Sequence, residues 1–282
     1  MRHYPAASGL RSTRRTSSPK IPDRPGRLLH RARSLLFDRR AEEALDHCDK
    51  VVGLMPRMVE VLCVRAAALL DLGYPELALS HLDTAIDLDQ SNGDLLVERC
   101  RAYVELGNLK DADQDLNTLF ESYGDDPEIL YLMGMVRELR GEDKEADGFY
   151  KKAVELDPGR YLMPFRVESS WLDEQAVSLV SELADEKQIK VGEIDVQIML
   201  IPPGQLTEHS FHGIPPTVLG LLMGIPAIER KSKNDFSSLK FMVFQRNLER
   251  MVSSESEIKE LLRTTIIHEL THFLEHGRQD SH

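Results

Sequence analysis

Four alanines, Ala44, Ala78, Ala112 and Ala146, stand 34 residues apart. A fixed period of that length means that one supersecondary unit is stacked on copies of itself. Three glycines keep the same step, Gly73, Gly107 and Gly141 each preceding an alanine by five residues. Apolar residues follow the alanines at helical spacing: Leu82, Leu116 and Tyr150 four on, Ala85, Leu119 and Ala153 seven on. Proline comes 12 residues after the alanine at Pro56 and Pro158. The unit described is a pair of amphipathic helices. The glycine turns the chain after the first helix, the alanine lets the two helices approach closely, and the proline opens the next unit.

This pattern resembles the tetratricopeptide repeat, in four copies over residues 25–158. The last copy matches at Gly134, Gly141, Ala146, Tyr150, Ala153 and Pro158. The first is degenerate, with Arg39 at the glycine and Cys48 at the large apolar position, and the third ends in Gly124 rather than proline. The resemblance implies an all-α solenoid whose concave groove binds a protein or peptide segment. The plainer alternative is a scaffold for the domain that follows. Repeats of this kind carry no chemistry, which must come from elsewhere in the chain.

Charge narrows the partners. Residues 1–40 hold 11 Lys and Arg against two Asp, whereas residues 41–282 hold 24 basic against 45 acidic groups. So negative a body argues against nucleic acid. The basic start, rich in Arg, Ser and Pro and poor in apolar residues, predicts a disordered tail over 1–24. An organelle-targeting segment or an anionic-surface tether are the sharper alternatives. No apolar stretch approaches the roughly 20 residues that span a bilayer, so no membrane span is expected. Three cysteines, Cys48, Cys63 and Cys100, form no CxxC pair and lie in helical apolar patterns. Buried, reduced thiols in the cytoplasm are expected.

After Pro158 the period stops. Residues 159–167 read as a linker and 168–282 as a second domain. Ser169-Ser170 caps a helix carrying Trp171, Leu172, Ala176, Leu179, Val180 and Leu183 on one face. Asp195 to Ile201 alternates as a strand stopped by Pro202-Pro203, and Leu239 to Phe244 reads as a second strand. Thr207 to Asn234, rich in Gly, Pro and Ser, is expected to be irregular, with Glu208, His209 and His212 in a solvated loop or beside a substrate cleft. Glu255 to His276 forms a long helix.

That helix carries His268-Glu269-Leu270-Thr271-His272. Histidines four apart lie about 40° apart around a helix and one turn along it. Both imidazoles can therefore reach one Zn²⁺ at about 2.0–2.1 Å. Glu269 then faces the open coordination position, where it can take a proton from zinc-bound water. Without metal, the same pair is only a helix-surface histidine pair.

The second half resembles the minimal zincin-like metallopeptidase family of small bacterial proteins. The residues that carry this are Pro216-Thr217-Val218-Leu219-Gly220-Leu221, Gly224-Ile225-Pro226, Phe244 to Arg250, Glu257-Ile258, and Thr265 through Glu269. The family runs HExxHxxGxxD, its glycine ending the helix so that a late acid returns to the metal. Here the glycine comes two residues late, at Gly277, and the Gly-x-x-Asp spacing ends at Asp280. The resemblance therefore gives Asp280 the third-ligand role. Glu275, on the same face as both histidines, is the next choice, followed by His276 and His282. The expected fold is multidomain, an all-α tetratricopeptide solenoid followed by a small α+β zincin-like domain. The expected function is zinc-dependent hydrolysis of a peptide bond, with His268 and His272 as metal ligands, Glu269 activating water and the repeats recruiting substrate or partner. The alternatives are an interaction protein whose zincin-like half is structural or metal-sensing, and hydrolysis of a non-peptide amide.

Overall fold

Each 34-residue unit folds as a hairpin of two helices in the computed structural model, which describes residues 23–186, 195–203, 215–223 and 240–279. The pairs are α1 (Asp23–Phe37) with α2 (Ala41–Val52), α3 (Val59–Asp71) with α4 (Pro75–Leu88), α5 (Gly93–Glu105) with α6 (Leu109–Tyr123), and α7 (Pro127–Leu139) with α8 (Asp143–Leu156). Ala44, Ala78, Ala112 and Ala146 are fully buried where the helices of a pair cross. The positions four and seven residues on, from Cys48 and Val51 to Tyr150 and Ala153, are equally inaccessible. Between the helices, Gly73, Gly107 and Gly141 take φ of 85°, 74° and 77°. Arg39, in the glycine's place, adopts the same left-handed turn at φ 61°, a conformation that costs an L residue about 1–2 kcal/mol.

Pro75 and Pro127 stand at the first turns of α4 and α7, where a missing N–H costs nothing. All three cysteines are free; Cys48 and Cys100 are buried and Cys63 is half-buried. Burial pushes the Cys48 thiol up to about 12. The described residues separate into two compact units, one built on 23–161 and the other on 162–186, 195–203, 217–223 and 240–279.

The second unit packs α9 (Ser169–Glu186) and the long α11 (Glu255–Gln279) with a three-stranded sheet of β1 (Asp195–Met199), β2 (Gly220–Met223) and β3 (Lys240–Phe244). The short α10 (Gln245–Glu249) follows β3 directly. Strand order is β1-β3-β2, with β1 parallel and β2 antiparallel to the central strand. Leu172, Ala176, Val180 and Leu183 of α9 meet Phe241 and Val243 of β3 and the Ile258, Leu262, Ile266, Leu270 stripe of α11 in one core.

β1 stops at Met199, two residues short of the alternating run. A correction concerns β2. It lies inside the stretch expected to be irregular, because β3 supplies hydrogen bonds that four residues flanked by Gly and Pro do not announce. The remainder of that stretch, over 207–214 and 224–234 and including Glu208, His209 and His212, lies outside the described residues.

The Gln245–Arg250 segment ties the second unit together. Glu249 is wholly buried and accepts hydrogen bonds from Arg166 Nη1 (2.9 Å), Arg246 Nη1 (2.7 Å), Gln245 Nε2 (2.8 Å) and the Val167 N–H (3.0 Å). Asn247 Nδ2 donates to the Val218 carbonyl just before β2 at 2.5 Å, and the Arg246 N–H to the Leu200 carbonyl just after β1 at 3.0 Å. One helical turn thus fixes both edge strands.

Candidate functional site

α11 presents three rows of side chains to three environments. Ile258, Leu262, Ile266 and Leu270, four apart, are buried in the core. Beside them Leu261, Thr265 and Glu269 form a half-buried to buried row. Thr264, His268 and His272 form the exposed row next to it. The helical period therefore decides that the histidines are reachable while Glu269 is drawn toward the sheet.

The His268 and His272 rings lie with centroids 6.0 Å apart and planes tilted by 46°. Glu269, between them in sequence, accepts a hydrogen bond at Oε2 from the Leu222 N–H of β2 at 3.3 Å. β2 can come this close because Gly220 has no side chain. A Cβ there would stand 3.1 Å from both the Met242 carbonyl oxygen and Thr265 Cγ2, and 3.2 Å from Phe241 Cζ. Thr265 lies one turn before Glu269, and its hydroxyl bonds back to the Leu261 carbonyl at 2.8 Å, turning its methyl toward the strand.

His268, Glu269 and His272 are thus brought together on one stretch of helix. Asp280 and the side chains of Glu275 and His276 lie outside the described residues, as does His282. Among the described residues no group of three or more His, Cys, Asp or Glu side chains is placed to hold a metal ion. The two imidazoles do suit zinc by their chemistry: they are nitrogen donors, exposed, one turn apart on one face. Two residues of the site carry no functional signature in the sequence: Gly220, which belongs there to the Leu-Gly-Leu element, and Leu222, which meets Glu269 through its main chain. Among the described residues no helix is long and apolar enough to cross a membrane.

Comparison with known proteins places names on both units. Residues 191–282 match the family model of the zincin-like metallopeptidases. Residues 69–136 and 127–160 match models of the tetratricopeptide repeat. Among solved structures the chain is similar to TTC0263, a thermophilic tetratricopeptide protein in Thermus thermophilus, at 28% identity over 49% of this chain and 76% of that one, TM-score 0.45. It is also similar to the first such domain of the human RPAP3 protein (18% identity, 48% and 98% coverage, TM-score 0.38). A third similar structure is MamA, from residue 41 to its end, of Desulfovibrio magneticus RS-1 (18%, 59% and 90%, TM-score 0.42). No curated protein matches the chain. The chain carries tetratricopeptide repeats over residues 69–160 and a zincin-like metallopeptidase domain over residues 191–282.

Proposed function

We propose that this chain is a zinc-dependent hydrolase of peptide bonds, acting at α11, with the repeats recruiting a protein or peptide. The observation that carries this is the arrangement of two exposed imidazoles 6.0 Å apart beside a carboxylate whose Oε2 is engaged by a strand N–H. His268 and His272 would hold the ion, and Asp280, with Glu275 as next choice, would complete the site. Zinc bound there would supply Lewis-acid polarisation of the scissile carbonyl and a water acidic enough to ionise near neutral pH.

The chain's own work is proton transfer and positioning. With Oε2 engaged by Leu222, Glu269 Oε1 is the oxygen that accepts the proton of the attacking water. The same carboxyl then delivers that proton to the leaving amine. The half-burial of Glu269 limits competing water while the exposed histidine row keeps the site open to substrate. Three free thiols suit a reducing compartment, and we place the protein in the cytoplasm.

Glu269→Gln is the test. The amide preserves shape but cannot take the proton, so hydrolysis should fall by about 10²–10⁴-fold with zinc still bound. Full turnover by the Gln variant would remove Glu269 from the mechanism. Undiminished cellular function in a chain with no hydrolysis would instead favour an interaction protein with a non-catalytic zincin-like half.

A further inference from the structure

Among the described residues β2 lies at an edge of the sheet, and its pairing with β3 decides which main-chain groups turn away from the ladder. The Phe244 N–H donates to the Leu219 carbonyl at 2.9 Å, and the register continues with Leu221 opposite Met242. In an antiparallel ladder such pairs alternate, so Leu219, Leu221 and Met223 turn their main-chain groups toward β3. Gly220 and Leu222 turn theirs away from β3. The Leu222 N–H donates to Glu269 Oε2. Nothing in the β-ladder requires that bond. It exists because Gly220 lets Thr265 settle against the strand and so brings Glu269, one turn further along α11, within reach.

We propose that the Leu222 main-chain N–H is a positioning group for Glu269, engaging Oε2 so that Oε1 alone faces the reacting water. This rests on Glu269 being the general base. The strand thereby fixes one of two otherwise equivalent oxygens, and a carboxylate with one oxygen held samples fewer orientations than one turning freely. Gly220 is the second positioning residue, acting through the helix-to-strand approach.

Amide hydrogen exchange of Leu222 in the metal-free full chain reads the contact without catalysis. An edge N–H turned away from its sheet exchanges quickly unless something accepts it. The Leu222 amide should therefore be protected in the native protein and exchange roughly tenfold faster in Glu269→Ala. In Glu269→Gln, which keeps an acceptor oxygen, protection should persist. The ladder amides of Leu221 and Met242 should keep their rates in all three proteins, showing that the sheet is intact. An unprotected Leu222 amide, or one indifferent to Glu269→Ala, overturns the proposal.

A second arm replaces the 221–222 peptide bond with an ester, deleting the N–H alone. It should lower kcat roughly five- to tenfold, the worth of one hydrogen bond, with KM and zinc content unchanged. An unchanged kcat overturns the positioning role. If the native chain hydrolyses nothing, the proposed function fails, while the exchange rates still decide whether Leu222 holds the carboxylate.

Discussion

Gly134 sits against the face of Tyr150, and a Cβ there would lie 2.8 Å from Cδ1 and Cε1 of that ring. The corresponding residues one and two repeats earlier, Cys100 and Ala66, carry side chains because Leu116 and Leu82 replace the ring. Gly134 is thus the counterpart of Tyr150, whose hydroxyl donates to Glu138 Oε2 at 3.1 Å. Gly134→Ala should destabilise the array by about 1–3 kcal/mol, the usual range for overpacking, measured by denaturant titration of the full chain. Ala66→Gly, with no ring to clear, should show only the helix-propensity loss of about 1 kcal/mol. A second residue-scale effect concerns pH. Burial pushes the Glu98 carboxyl up from its ordinary 4.5 to about 7, opposed by the Arg101 guanidinium and reinforced by Glu128. The folded chain therefore holds this proton to higher pH than the unfolded chain does. Its contribution to stability is present below pH 4.5 and is lost as pH rises through about 7. Glu98→Gln should flatten that slope, followed as unfolding midpoint against pH; an unaltered slope would place its origin elsewhere.

Between helices, the repeats are braced by an arginine that recurs with their period. Arg65 on α3 reaches Asp49 on α2 (2.9 Å) and donates to His81 Nε2 on α4 (2.9 Å). Arg99, 34 residues on, reaches Asp83 on α4 (3.2 Å) and both carboxylate oxygens of Asp115 on α6 (2.8 Å each). Each arginine thus ties its own repeat to the one before. Asp115 is nine-tenths buried, so removing Arg99 strands a charge. With Arg99 itself one-fifth exposed, Arg99→Ala should cost about 2 kcal/mol, somewhat below the 3–5 of a fully buried pair. Asp83→Ala, at the half-exposed end, should cost under 1 kcal/mol.

The alanine and glycine positions of these helices were readable because close packing and left-handed turns admit few residue types. Arg39 shows the limit: its place in the period located the turn although its side chain disguised it. The arginine braces leave no distinct mark in the sequence, because charged residues on helices usually face water. Nor does β2, because four residues leave too little alternation to detect. That His268, Glu269 and His272 share one stretch of helix was legible from their spacing. The Leu222 partner of Glu269 was not, since a main-chain N–H leaves no mark in the sequence.

On the scale of the whole chain, the repeats and the zincin-like domain form two units with separate cores. The array's buried residues draw on their own and adjacent repeats, the condition under which a solenoid stands alone. A fragment of residues 23–161 should therefore be soluble and helical by circular dichroism; an unfolded fragment would mean that its core depends on the rest of the chain. In the zincin-like domain His268, Glu269 and His272 share one helix, and that helix is fixed by the sheet, Gly220 and the clamp around Glu249. Zinc content tests the proposed site most directly. The full chain, purified at neutral pH with trace zinc, should carry about one ion per chain by elemental mass spectrometry, and His268→Ala and His272→Ala should each lose it while retaining native circular dichroism. A native chain that binds no stoichiometric zinc, or histidine variants that bind as much as the parent, would contradict the assignment of His268 and His272 as its ligands.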